Sequence, residues 1–407
     1  MTEIDAYNEA LNSGQYQKPG GLLGKYDNVR RFWEDEQLGL YLRPYLERLI
    51  DRKKKRAEGL RVLDLGCGSG DGFEFLTSIK SNSSISEHKA AVIQPEVLEL
   101  YKGIDINEGL LRQAQVTYRG RQNMVFTLSD LNRHGFLSEQ PYDLYLANYG
   151  TLSHNTDEQT VEILSNIARH SENGTLIIID WLGRFSYEWQ TLWTRDFEHN
   201  QWIDYAISYI YSEDGTKKQN LKYFPLRLMG RSEVAEIYKR VNKKVGRIIA
   251  LRKLADRSSF VGRHMDTAQY NPHCQPLRRL VNPLFELNLR TNLDELLIHY
   301  NPAESFTEIN AYYQQLADCW NYIIVYTKAL MEQSAPPEAP AGIPTAAKRV
   351  LNVMKRVVKA VARMRVGDPR ASLVEPQLGY CLRELEMGLQ KGLGCGHGLV
   401  AIFEIAK

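Results

Sequence analysis

The feature that most constrains this chain is the run VLDLGCGSGDG at 62–72, a short apolar stretch ending near an aspartate, then glycines at every second position before a helical sequence. Alternate glycines let a chain turn tightly and bring bare backbone against a ligand, and a helix that starts directly afterwards offers unpaired N–H groups to anions. A strand, glycine loop and helix in this order belong to an α/β fold. The spacing is G-x-G-x-G, with Asp64 two residues before Gly66, whereas a nicotinamide dinucleotide prefers G-x-G-x-x-G.

From 61 to 182 short apolar runs alternate with helical stretches, the pattern of a parallel sheet covered on both faces. Strands are expected at 61–65, 100–106, 124–128, 142–147 and 175–182, with helices at 72–79, 109–119 and 158–170. A helix at 232–244 and a strand at 247–254 follow. The final run, GHGLVAIFEIAK, reads as a last strand returning to the sheet. The expected fold is a doubly wound, Rossmann-like, mostly parallel seven-stranded α/β sheet with an N-terminal helical arm and large, mainly helical insertions.

Two further segments share the glycine loop's logic. YKGIDINEGLL at 101–111 puts Asp105 at a strand end before a helix, where a carboxylate can accept both hydroxyls of a ribose. It lies 35 residues beyond Gly70, longer than the usual interval of about 20, and the polar stretch KSNSSISEHKAA at 80–91 accounts for the excess as a loop insertion. FTLSDLN at 126–132 carries Asp130 after the third strand, and YLANYGTLSHN at 145–155 closes the fourth. In this order these segments resemble the class I S-adenosylmethionine-dependent methyltransferases, over roughly 60–182 and more weakly over 225–255 and 394–407. The resemblance implies S-adenosyl-L-methionine as cofactor. It would set Asp64, Gly66, Cys67, Gly68 and Gly70 around the methionine part, Asp105 on the ribose, and Ile106 on the adenine face. Asp130 with the backbone of Leu131 would read the adenine edge, and Asn148 would lie near the methionine end and the acceptor. One departure is the loop Asn148-Tyr149-Gly150, which is not the N-P-P-Y of many amide and ring-amine methylations, so a planar-nitrogen acceptor is less supported.

His154 follows the fourth strand on the ligand-binding edge, and histidine is the residue type suited to proton transfer at neutral pH, which makes it the leading candidate general base, with Tyr149 beside it. Asn148 and Asp180 are positional rivals, and a loop histidine is often only a surface residue. His264 and His273 sit in HMDTAQYNPH, too irregular for a metal site, so no metal is expected.

The 407 residues exceed one minimal cofactor domain. Expected divisions are an arm and cap helix at 1–56, with 13–28 mobile, a cofactor-binding core at 57–182, and an aromatic-rich insertion at 183–224. The core continues at 225–256, a helical insertion with a Pro-rich break at 335–344 spans 257–393, and a closing strand occupies 394–407. Within the aromatic insertion, IDYAISYIY, the Asp214-Gly215 turn and LKYFPLRLM suggest a hairpin; its aromatics form the insertion's own core or an acceptor wall. The basic run at 52–56 reads as a linker, and the cationic helix at 346–365 as a lid packed on its apolar stripe or a docking surface.

A net charge of +2 does not indicate nucleic acid, five scattered cysteines fit a reducing cytoplasm, and no run is apolar enough to span a membrane. The expected activity is methyl transfer to an oxygen or nitrogen of a small molecule enclosed by the insertions. The alternatives are a protein side-chain methyltransferase, of which the phycobiliprotein asparagine enzymes are an example, and a non-catalytic cofactor-binding protein.

Overall fold

A computed structural model describes residues 3–16, 20–81, 91–133, 135–195, 201–207, 222–246, 248–264, 270–365 and 367–406. Most of the loop insertion read at 80–91 falls outside the described residues, as do the Asp214-Gly215 turn and half of HMDTAQYNPH.

Five strands, β1 (Leu60–Leu65), β2 (Leu98–Asp105), β3 (Met124–Leu128), β4 (Leu144–Ala147) and β5 (Leu176–Gly183), pair in parallel in the order β3-β2-β1-β4-β5. β5, LIIIDWLG, is buried at every position, as a strand covered on both faces should be. The helices before and between these strands are α1 (Glu3–Asn12), α2 (Asp35–Arg56), α3 (Asp71–Ser78), α4 (Glu108–Thr117) and α5 (Asp157–His170). Capping sets two starts: Asn107 accepts the Leu110 N–H at 3.0 Å before α4, and Thr156 and Gln159 form a reciprocal box before α5.

The chain then forms β6 (Trp202–Ala206), β7 (Tyr223–Met229), α6 (Arg231–Val245) and β8 (Ile248–Arg257), followed by α7 (Leu277–Val281), α8 (Thr307–Met331), α9 (Thr345–Val361), α10 (Glu375–Leu389) and β9 (Gly398–Ala406). β9 lies antiparallel between β5 and β8, which completes a seven-stranded frame from non-contiguous pieces. A two-stranded ribbon is added to it. β7 pairs with Leu182 and Gly183 of β5, beyond the end of β4, and β6 pairs antiparallel with β7.

Alternation sorts the core into two layers. Val62, Leu144, Ile178 and Val400 face α2 and α3, while Leu63, Tyr145, Ile177 and Phe403 face α5 and α6. A third cluster belongs to the insertion, where α8, α9 and α10 pack together and take in Trp33, whose ring meets Trp320 at 5.9 Å.

Several expectations need correction. The basic run at 52–56 is the last turn of α2, where cations favour the negative end of a helix and Lys53 reaches both Glu58 and Asp143 at 3.0 Å. The described residues of 257–306 are mostly irregular, since Pro276, Pro283 and asparagines break the apolar pattern into short turns; the first long helix of the insertion is α8. The arm read as mobile is tied down: Asn28 donates to Glu286 at 2.7 Å and Tyr26 to Asp71 at 2.9 Å. On α9, Val350, Met354, Val358 and Val361 are buried, and Lys348, Lys355 and Lys359 are exposed.

The return to β9 is held by close backbone contact. A Cβ on Gly183 would lie 2.1 Å from the Gly396 carbonyl oxygen and 2.6 Å from that of Gly394. Backbone cannot step aside as a side chain can. Gly183→Ala should therefore lower stability by about 2–3 kcal/mol, read from the urea midpoint, against little change for Gly135→Ala, whose surroundings are open; equal midpoints would contradict this.

Candidate functional site

Because β1 to β3 wind one way and β4 to β5 the other, the order reverses between β1 and β4. In a doubly wound sheet the crevice beyond the strand ends at such a reversal is where ligands bind. A cavity of about 480 Å³ opens there.

The loop after β1 forms its floor. Gly66 and Cys67 donate to the Ile104 carbonyl at 2.8 and 3.0 Å. Gly66 has φ +66°, and a Cβ there would meet Thr151 Cγ2 at 2.5 Å. Gly68 has φ +53°, and its Cβ would approach nothing closer than Leu110 at 3.9 Å, so bare backbone faces the cavity. Gly70 does not line it; Tyr118 and Phe126 pack on Gly70, and its part is to turn the chain into α3. The Cys67 thiol packs over Gly103, and burial pushes its pKa well up, which leaves it inert. Asp64 is buried and accepts from the Tyr101 hydroxyl, and burial pushes its carboxyl up to about 7.

Asp105, at the end of β2, accepts the Gly68 N–H and the Asn107 N–H, each at 2.8 Å. Burial raises its pKa, and these two donors work against that rise. Ile106 is 40 % exposed at the cavity edge, with Leu131 and Asp130 also on the lining. Asp130 accepts from the Asn132 N–H at 2.9 Å.

From the loop after β4, Asn148, Tyr149 and His154 all reach the cavity. The Asn148 side chain is 7 % exposed overall, and neither its amide oxygen nor its nitrogen has a partner among the described residues. Tyr149 adopts φ +56°, a left-handed conformation that a bulky residue seldom takes, and such strain concentrates at functional sites. Its hydroxyl is committed to Asp35 at 2.8 Å, its ring lies under the Arg30 guanidinium at 3.5 Å, and burial pushes its pKa well up. That argues against Tyr149 as a base near neutrality. His154 stacks on Phe224 at 5.5 Å, has Tyr7 3.4 Å from Nε2, and acts electrostatically on Asp105.

Apart from Asp180, the opposite wall was not read from the sequence. Arg30 and Glu34 come from a π-helical turn, Arg30–Glu34, that precedes α2; such turns recur at functional sites. Lys25 pairs with Asp71 at 2.5 Å. Burial opposes the Asp71 charge, yet Lys25 holds its carboxyl down to about 2, while burial brings Lys25 itself to about 8. Asp180 accepts from Arg257 at 2.6 Å, and Arg257, Arg263 and His397 complete this side. Arg257 ends β8 at the same sheet edge, three residues beyond the strand end expected from the sequence. The aromatic insertion divides: Trp189 and Trp193 are internal, with Trp193 stacked on Tyr313 at 5.9 Å, whereas Tyr205 lines the cavity, as does Trp181 of β5. Among the described residues, Glu188, His264 and His397 form the one cluster with metal-ligating side chains close together; His273 is exposed and apart from it.

No family model matches this chain, and no curated protein does. Solved structures similar to it include an S-adenosylmethionine-dependent methyltransferase from Clostridium acetobutylicum, 12 % identical over 61 % of this chain and 90 % of that one, with a TM-score of 0.37. Magnesium protoporphyrin IX methyltransferase from Synechocystis, with bound S-adenosylhomocysteine, is 14 % identical over 62 % and 89 %, with a TM-score of 0.34. A methyltransferase from Methanosarcina mazei is 13 % identical over 49 % and 84 %, with a TM-score of 0.33. Among the described residues no helix is long and apolar enough to cross a membrane.

Proposed function

We propose that this chain is an S-adenosylmethionine-dependent methyltransferase that acts on a small molecule held in the cavity. The observation that carries the reading is the pairing of bare Gly68 with the Asp105 carboxylate at the reversal of strand order, on one cavity with the Asn148 amide, which has no partner among the described residues. These groups fit the cofactor. Asp105 can accept from a ribose diol, exposed Ile106 and Leu131 offer apolar faces to a purine, and Asp130 lies at its edge. Gly66, Gly68 and Asn148 would border the methionine end, whose carboxylate suits Lys25 or Arg30.

S-adenosylmethionine, when bound, supplies a methyl group on a sulfonium, open to in-line displacement. The chain's own contribution is to hold the acceptor at the right approach and to keep water out; positioning alone can lower a barrier by about 7–11 kcal/mol. Walls from α1, β6, β7 and the 257–263 segment surround the cavity, and its 480 Å³ falls within the range of about 300–1,000 Å³ usual for small-molecule sites. A recess of this size with walls on several sides favours a small acceptor over a protein side chain.

The test is calorimetric titration of the full chain with S-adenosylhomocysteine. One site with micromolar affinity is expected. Well-folded protein that takes up no heat with S-adenosylhomocysteine would overturn the proposal.

A further inference from the structure

Three buried side chains beside the cavity belong to none of the motif-bearing loops. Glu188 lies in the short 3-10 helix Tyr187–Leu192 after β5, His264 follows β8, and His397 immediately precedes β9. They are 1 %, 0 % and 6 % exposed.

Glu188 joins the other two. Its Oε1 accepts from His264 Nδ1 at 2.8 Å and from the backbone N–H groups of Arg263 and His264 at 2.9 and 2.8 Å; its Oε2 accepts from His397 Nδ1 at 2.6 Å. Burial opposes its charge, but His397 and His264 outweigh it and hold the carboxyl well below the usual range. An ionised carboxylate only accepts, so both rings carry a hydrogen on Nδ1, and in its neutral form either ring keeps its lone pair on Nε2. The two lone pairs differ in surroundings. His264 Nε2 is sealed among the rings of Tyr205 and Tyr270, with no partner among the described residues. His397 lines the cavity beside Trp181 and Leu182.

We infer that His397 is the general base of the reaction, taking the acceptor's proton on Nε2, with Glu188 as the positioning residue that fixes its tautomer. This rests on the methyl-transfer reading and assigns its proton acceptor. As the acceptor's O–H or N–H gives its proton to Nε2, the acceptor's electron pair forms the bond to the methyl carbon. The carbon–sulfur bond breaks, its pair stays on sulfur, and the products are methylated acceptor, neutral thioether and imidazolium. His154 is less suited, since its Nε2 faces Tyr7 and it lies toward Asp105, at the ribose end. The same three side chains could be taken for a metal site, their ligand atoms lying within 4.8 Å of one another. Spacings of 2.6 and 2.8 Å between Nδ1 and carboxylate are those of direct hydrogen bonds, and Oε1 is already filled by backbone donors.

The charged groups facing His397 are Glu188 from the 3-10 helix, Glu34 from the π-helical turn, His264 after β8, and the Asp180–Arg257 pair beside Gly398. Burial dominates and keeps the imidazole below its ordinary value, while Glu188 raises it. Removing the Glu188 charge must therefore lower it further.

The experiment uses the full chain and diethyl pyrocarbonate, which carbethoxylates unprotonated, reachable imidazole nitrogens, with sites mapped by mass spectrometry. His397 should react and His264 should not, with the His397 rate rising through a pH midpoint that moves lower in Glu188→Gln. In parallel, methyl transfer from tritiated S-adenosylmethionine to a panel of phenols, hydroxy acids and amines should fall roughly 10²–10⁴-fold in kcat for His397→Asn. S-adenosylhomocysteine affinity should change less than about threefold, because ordinary effects of a group outside the cofactor's contacts stay within about 0.6 kcal/mol. Unreactive His397, an unmoved midpoint in Glu188→Gln, or full turnover by His397→Asn would each overturn the inference. So would one equivalent of zinc bound by the native chain and lost together in His264→Ala and His397→Asn. The reactivity measurement needs no acceptor and stands on native protein. Failure to bind S-adenosylhomocysteine would instead strike the methyl-transfer reading itself.

Discussion

Arg278→Met should cost about 3–5 kcal/mol of folding stability, because it removes one member of a buried ionic chain and leaves the others charged. Arg278 is 2 % exposed and donates through Nε and NH2 to both oxygens of Asp27, at 2.7 and 2.5 Å, and through NH1 to Glu34 at 2.9 Å and to the Gly262 carbonyl at 3.0 Å. Glu34 also meets Arg263 at 2.6 Å and Arg257 at 3.7 Å, and Arg257 continues to Asp180. Burial opposes the Glu34 charge, and Arg263, Arg278 and Arg257 together hold its carboxyl well below the usual range. Methionine fills the space without a donor. Asp27 would then lose its bidentate partner while staying within reach of Asn282 and the Arg30 N–H. The check is the urea midpoint of the variant beside that of Lys348→Met, an exposed cation on α9 that should change stability by less than about 0.5 kcal/mol. Equal losses in the two variants would show that the chain of charges contributes no more than a surface lysine does.

The position of this network explains why it matters beyond stability. It joins the N-terminal segment around Asp27–Glu34, the end of β8 and the start of the insertion, and four of its members, Glu34, Asp180, Arg257 and Arg263, face the cavity. This wall of the cavity is thus as rigid as the ion pairs behind it. A buried polar lattice of this kind can specify one arrangement of segments that apolar packing alone would leave free to slide.

That wall also marks the limit of what could be read from the residues alone. The glycine loop, Asp105 and Asp130 were legible because each places its chemistry within a few consecutive residues at a strand end, and local turn geometry makes the spacing informative. Gly70 shows the limit within the motif, since its spacing matches a ligand loop while its surroundings are Tyr118 and Phe126. Lys25, Arg30, Glu34, Arg263 and His397 are separated by up to 372 positions (397 − 25), and each alone resembles a solvated surface residue. Only the fold gathers them. The π-helical turn was equally silent, because VRRFWEDEQ has the composition of an ordinary helix and the one extra residue per turn leaves no compositional trace. Among the insertions, periodicity sufficed for α9, whose apolar stripe is continuous, and failed over 257–306, where proline and asparagine cut the pattern before a helix could be sustained.

Asp105→Ala should weaken S-adenosylhomocysteine binding at least about 100-fold, about 3 kcal/mol, while leaving the protein folded. Two effects add. A carboxylate that accepts from a ribose diol contributes charge-assisted hydrogen bonds worth about 1.5–3 kcal/mol each. The same carboxylate holds the Gly68 and Asn107 N–H groups, so its loss also loosens the loop that must lie against the cofactor. Folding is less affected because Asn107 keeps its own cap on Leu110, and β2 keeps its register with β1 and β3. Asp130→Ala is the informative contrast: Asp130 is only half-buried and its carboxylate serves Asn132, so the loss there should stay within about tenfold. A larger loss at Asp130 than at Asp105 would mean that the cofactor lies the other way round in the crevice, with its ribose beyond β3, and the acceptor end would then have to be sought away from His397.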